Sequence, residues 1–152
     1  MAGKIPSGSA PDSVNELAAN GTAVGITASA SDADGTNTTI TYTLSDNAGG
    51  RFAIDSASGV VTVANASLLD FETSTSHGIS VLATSADGST STQAFTITIA
   101  DGNEFGVGAI SDTNAGVDTV QENAANGSLV GITANATDAD GADVVTYVLS
   151  NN

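Results

Sequence analysis

Cysteine and tryptophan are absent from this 152-residue chain, which has one methionine, one histidine and two prolines. Without cysteine there is no disulfide, no zinc thiolate site and no thiol nucleophile. Positive charge is nearly as scarce: Lys4 and Arg51 stand against 17 acids, for a formal net charge of −15. Nucleic acid and anionic membrane surfaces both need cations to neutralise phosphate, so neither is expected as a partner. No run of about 18 apolar residues exists to span a bilayer. His77 has no G-x-S-x-G or similar elbow to serve and reads as an ordinary edge or loop residue. Apolar residues still make up 40% of the chain and charged ones only 12%, a composition suited to a core rather than to disorder. Residues 1–11 lack the apolar centre of a signal peptide and read as an expression leader or linker.

One long segment occurs twice. Val14-Asn15-Glu16-Leu17-Ala18-Ala19-Asn20-Gly21 returns as Val120-Gln121-Glu122-Asn123-Ala124-Ala125-Asn126-Gly127, and Val24-Gly25-Ile26-Thr27-Ala28 as Val130-Gly131-Ile132-Thr133-Ala134. Asp32-Ala33-Asp34-Gly35 returns as Asp138-Ala139-Asp140-Gly141, all at an offset of 106. Thr41-Tyr42-Thr43-Leu44-Ser45 matches Thr146-Tyr147-Val148-Leu149-Ser150 after a one-residue deletion. The sequence therefore reads as one full repeat at 12–104, a linker at 105–117 and the start of a second repeat at 118–152, cut from a longer array.

Within the repeat, apolar residues recur with period two, the mark of half-buried strands. Val24, Ile26, Ala28 and Ala30 alternate with polar neighbours, as do Ile40, Tyr42 and Leu44. Phe52/Ile54, Val61/Val63, Ile79/Val81/Ala83 and Phe95/Ile97/Ile99 follow, and a first strand near Val14 makes seven. No segment keeps a helical period, so the expected fold is all-β, an antiparallel sandwich of seven strands. The second repeat supplies counterparts of the first three strands, with Val130, Ile132, Val145, Tyr147 and Leu149 as its would-be core. A segment of about 35 residues rarely folds alone. It is expected to stay disordered, or else to pair by its edges with another chain.

Acids gather at strand ends: Glu16, Asp32/Asp34, Asp70/Glu72 and Asp101-Gly102-Asn103-Glu104. Grouped carboxylates repel unless a cation neutralises them, and Ca²⁺ takes six to eight oxygens from such side chains. A merely solubilising acidic surface is the plainer alternative. Asp32-x-Asp34-Gly35 opens like an EF-hand, but the sixth and twelfth places of that loop are Asn37 and Thr43 instead of Gly and Glu. Asp70 and Glu72 are too solvated and too close in sequence to serve as a glycosidase acid and nucleophile.

The order Val-x-Glu16, Ala30-x-Asp32-x-Asp34, Tyr42-x-Leu44, Phe52-x-Ile54-Asp55, Leu69-Asp70-Phe71-Glu72, Val81-x-Ala83 and Ile97-x-Ile99-x-Asp101-x-Asn103-Glu104 resembles a cadherin repeat, of the kind found in very large bacterial surface or secreted adhesins. The resemblance covers 14–104 and restarts at 118. It implies a Greek-key, immunoglobulin-like sandwich with Ca²⁺ at the junctions between repeats. Carried over by position, Glu16, Asp70 and Glu72 would be ligands of the first repeat and Asp101, Asn103 and Glu104 those of the linker. Asp138 and Asp140 would close that junction from the next repeat. Asp32 and Asp34 would serve a preceding junction, and Glu122 a following one. The sequence departs from the family pattern at Glu104 and Phe105 in the linker, and at Ser85, where many cadherins have an Asp. Asp87-Gly88 beyond it offers a turn.

The reading is a non-enzymatic, extracellular, Ca²⁺-rigidified spacer or adhesion module. Its partners would be neighbouring repeats of the array, with copies of itself or a cell-surface polysaccharide as further ones. A polysaccharide-binding sandwich is the alternative, although the chain has no tryptophan and Tyr42 and Tyr147 alternate inward.

Overall fold

The computed structural model describes residues 12–33, 39–140 and 143–151; the expected leader and Asp34 lie outside them. The chain divides into two compact units, Met1–Gly102 and Asn103–Asn152.

In the first unit the strands are, in order, β1 Ser13–Asn15, β2 Ala23–Thr27, β3 Ile40–Asp46, β4 Phe52–Ile54, β5 Val60–Val63, β6 Ser76–Ser85 and β7 Thr90–Ala100. One sheet orders them β1-β7-β6-β3 and the other β2-β5-β4. β1 runs parallel to β7, with Val14 opposite Ile99, and the remaining pairs are antiparallel. The chain passes from one sheet to the other after β1, β2, β3 and β5, so each sheet is built from segments distant in sequence. The inward residues of both sheets form one core around Val24, Phe52, Val61, Ile79, Val81, Ile97 and Ile99. Val, Ile and Thr suit this pleated, half-buried surface because their χ1 freedom is already restricted.

Short-range chemistry fixes the turns. Asp55 Oδ1 accepts from the amides of Ala57 and Ser58, which closes the β4–β5 loop. Gly59 follows at φ +73, where a Cβ would lie 2.4 Å from the Ala28 carbonyl oxygen. Asp87-Gly88 forms the β6–β7 turn, with Asp87 Oδ1 accepting from Ser89 N. A 3₁₀ turn, Ala66–Leu68, is capped by Asn65.

The second unit repeats this local chemistry without the sheets. The turn bond from Thr22 N to Ala19 O (3.1 Å) has its counterpart from Ser128 N to Ala125 O (3.0 Å). The Tyr42 hydroxyl accepts from Ala30 N at 3.0 Å, and the Tyr147 hydroxyl from Ala136 N at 2.9 Å. Among the described residues the only strands here are β8 Ser111–Asp112 and β9 Ala134–Asn135, paired antiparallel. Val24, Ile26 and Tyr42 are 0%, 3% and 7% exposed, whereas Val130, Ile132 and Tyr147 are 45%, 59% and 47% exposed. Tyr147 therefore does not point into a core as its alternation suggested, because no second layer covers it.

Candidate metal centre

Two groups of carboxylates come together, one in each unit. In the first, donor oxygens of Glu16, Glu72 and Asp101 all lie within 4.8 Å of one another. The parallel β1–β7 ladder sets two of them. Glu16 N donates to Ala100 O, continuing the ladder, and Asn15 Nδ2 donates to Asp101 O. The third comes from the loop before β6, where Asp70 Oδ1 accepts from Thr73 N and Asp70 O from Ser74 N. That tight turn carries Glu72 to the strand ends. Glu16 is buried, and its two oxygens accept from Phe71 N at 2.5 Å and Gly102 N at 2.7 Å. It thus ties the loop and the end of β7 to β1 through charge-assisted hydrogen bonds, which are stronger than neutral ones.

In the second unit, oxygens of Asp138, Asp140 and Asp143 likewise lie within 4.8 Å of one another. Phe105 N donates to Asp140 Oδ2 at 3.0 Å, and Asn103 Nδ2 to Asp143 Oδ2 at 2.8 Å. The linker residues are thereby drawn to the Asp138–Asp143 loop. Asp140 is only 2% exposed, and its Oδ1 is buried with no hydrogen-bond partner. An unsatisfied buried carboxylate oxygen is costly, and two unit charges about 4 Å apart repel by roughly 1 kcal/mol in water and roughly 4 kcal/mol at an effective dielectric of about 20. A hard dication removes both penalties, and this all-oxygen donor set suits Ca²⁺. The residues present therefore fit such an ion.

The other expected ligands are placed differently. Asp70 is exposed and outside both groups, with Oδ1 engaged by the Thr73 amide. Glu104 and Glu122 are exposed, and a Glu104 oxygen lies within 4.8 Å of an Asp140 oxygen. Asp32 accepts a hydrogen bond from the Ser85 hydroxyl, so the serine at the position where an acid was expected neutralises nothing but still orients Asp32. Asp143 was missed by sequence reasoning. It follows Asp140 by three residues at a point where the first repeat has no acid, and that extra carboxylate was the available signal. His77 lies against the Phe52 ring, centroids 6.4 Å apart, and burial followed by the nearby Arg51 charge lowers its pKa.

A two-sheet sandwich with carboxylates gathered at strand ends is the architecture of an adhesion-type extracellular repeat. The family model for the cadherin domain matches residues 12–100, so the chain belongs to the cadherin family. Domains of this family are extracellular, non-enzymatic and generally bind Ca²⁺, and they interact with neighbouring domains or homophilically. Mouse cadherin-23 EC22-24 is 29% identical, covering 84% of this chain and 40% of that one at a TM-score of 0.58. Mouse clustered PcdhgC3 EC1-3 is 30% identical, covering 60% and 30% at a TM-score of 0.52. The protocadherin gamma B7 extracellular cadherin domains 1-4 are 25% identical, covering 83% and 30% at a TM-score of 0.58. The chain spans less than half the length of these solved chains. No curated protein matches it significantly. Among the described residues no helix is long and apolar enough to cross a membrane.

Proposed function

We propose that the chain is a Ca²⁺-binding segment of a tandem cadherin-like array in a bacterial surface or secreted adhesin, and that bound Ca²⁺ stiffens the connection between successive repeats. The observation that carries this reading is the Asp138/Asp140/Asp143 group, with Asp140 Oδ1 buried and unpartnered. Ca²⁺ would supply the positive charge that the carboxylates lack. Glu16, Glu72 and Asp101 would hold it in the first unit, and Asp138, Asp140 and Asp143 in the second, with Asn103 hydrogen-bonded to Asp143. Asp101 and Asn103 are two residues apart, so a ligand of the first group and a hydrogen-bond partner of the second are tethered to one short stretch of backbone. Each residue fixed there loses about 1–2 kcal/mol of conformational freedom, which the metal–oxygen contacts must exceed.

A thermal melt in excess EGTA and in millimolar Ca²⁺ tests the reading. At a hundredfold excess over Kd, binding adds about 2.7 kcal/mol, a rise of several degrees for a domain of this size. Superimposable melts would refute it. Small-angle scattering on a two-repeat chain should show extension with Ca²⁺ and shortening in EGTA.

A further inference from the structure

β1 is short, and its parallel pairing with β7 stops where the carboxylates begin. Glu16 N donates to Ala100 O (3.1 Å), and the chain then turns away, with Ala18 N donating back to Asn15 O (3.0 Å). Asp101 is the first residue beyond β7. Gly102 follows it, and glycine has the least restricted backbone of any residue. A carboxylate set between the end of a sheet and a glycine keeps a fixed place only if something holds its backbone.

The Asn15 side chain supplies that hold. Its Nδ2 donates to Asp101 O at 2.7 Å, while its Oδ1 accepts from Leu17 N at 2.8 Å. One side-chain amide thus stands in for a peptide unit: the donor extends the pairing with β7, and the acceptor closes the turn that takes the chain away. Gly102 N donates to Glu16 Oε1 at 2.7 Å. The peptide between Asp101 and Gly102 is therefore held at both ends, its oxygen by Asn15 and its N–H by Glu16. The fit is close, since a Cβ at Gly102 would lie 2.6 Å from Leu17 Cγ and 3.1 Å from Asn15 Oδ1.

We infer that Asn15 is a positioning residue for the cation held by Glu16, Glu72 and Asp101, acting through the Asp101–Gly102 peptide; the inference rests on the Ca²⁺ reading above. The nitrogen that reaches Asp101 is a donor and cannot ligate a cation, so its part is to orient a ligand. Without this tie the peptide rotates and the Asp101 carboxylate spends part of its time outside the group. The apparent Kd then rises by the inverse of the fraction still in place. A hydrogen bond of ordinary net strength sets that fraction, so losing it should weaken binding by about two- to twelvefold.

Asn15→Ser separates the two bonds of the side chain. Serine can still accept from Leu17 N within its own turn but is too short to reach Asp101 O. Titration of the full chain with CaCl₂, followed by NMR at the Gly102 amide, reads this group alone and should show the weakening given above. Asn65→Ala removes the bond from Ser67 N that caps the 3₁₀ turn and should leave the affinity unchanged. In EGTA, hydrogen exchange at the Gly102 amide should quicken in Asn15→Ser and not in Asn65→Ala. A parent chain that binds no Ca²⁺ would overturn the metal reading and this inference with it. If the parent binds, an Asn15→Ser protein of equal affinity, an equal loss in Asn65→Ala, or an unchanged Gly102 exchange rate would overturn the positioning role alone.

Discussion

Glu16→Gln separates the folding role of a carboxylate from its role toward a cation. The Glu16 carboxylate is buried and receives two backbone amides, Phe71 N and Gly102 N. Glutamine keeps one acceptor oxygen and turns an NH₂ toward the other amide, leaving a buried N–H without a partner. Losing one hydrogen bond to a charged acceptor costs about 1.5–3 kcal/mol. The substitution also relieves repulsion with Glu72 and Asp101, which returns about 1 kcal/mol at a wet strand end. The hydrogen bond wins, and the net loss is about 0.5–2 kcal/mol. For a domain of about 100 residues that lowers Tm by roughly 2–16 °C, and it does so in EGTA, with no metal present. Glu72→Gln is the contrast: the side chain is exposed, so the EGTA melt should stay within about 0.5 kcal/mol while the Ca²⁺-dependent shift shrinks. Differential scanning calorimetry of both variants in EGTA and in Ca²⁺ measures the four values. A Glu16→Gln protein that melts with the parent in EGTA would refute the anchoring role, and equal losses in both variants would reduce the effect to net charge.

Asp140→Asn should leave the EGTA melt of the first unit unchanged and reduce Ca²⁺ affinity at least about tenfold, since it removes a charged ligand oxygen; isothermal titration reads the change. Gly59→Ala should destabilise the first unit by about 2–4 kcal/mol, because a Cβ would meet the Ala28 carbonyl at a positive φ, and should leave the Ca²⁺ shift intact; urea unfolding checks both. His77 has a lowered pKa through burial and then Arg51. The unfolded chain therefore binds its proton first, stability is full above the ordinary value of 6.5, and it falls as pH drops below that value. His77→Gln should flatten this part of the urea-midpoint profile, and an unaltered slope would count against it.

The acids were legible as a set, but their grouping was not. Glu16, Glu72, Asp101, Asp138 and Asp140 stood out by position in a family pattern and do gather in their own units. Asp70 matched the same pattern, yet it lies outside both groups, with Oδ1 accepting from the Thr73 amide. That placement follows the backbone path from Asp70 to Ser74, which a motif does not encode. Asp143 escaped notice because it has no counterpart in the first repeat, so comparing the repeats hid it. The double use of Glu16 as an amide acceptor was also hidden, since Phe71 and Gly102 lie 55 and 86 residues away.

By itself the sequence determined which residues favour extended backbone, which side chains alternate inward, and where Asn, Asp and Gly turn the chain. These are local steric and hydrogen-bonding preferences, and they recur in both units: Gly25 and Gly131 both adopt φ 89, and each tyrosine hydroxyl finds the matching alanine amide. Tertiary structure alone decided whether those segments became strands. Ala23–Thr27 pairs with β5 and Ile40–Asp46 with β6. Their counterparts around Val130 and Tyr147 carry nearly the same residues but form no such pairs and stay exposed. A strand's hydrogen bonds and the cover for its apolar face both come from other segments, so the same letters yield a buried sheet in one unit and an open chain in the other.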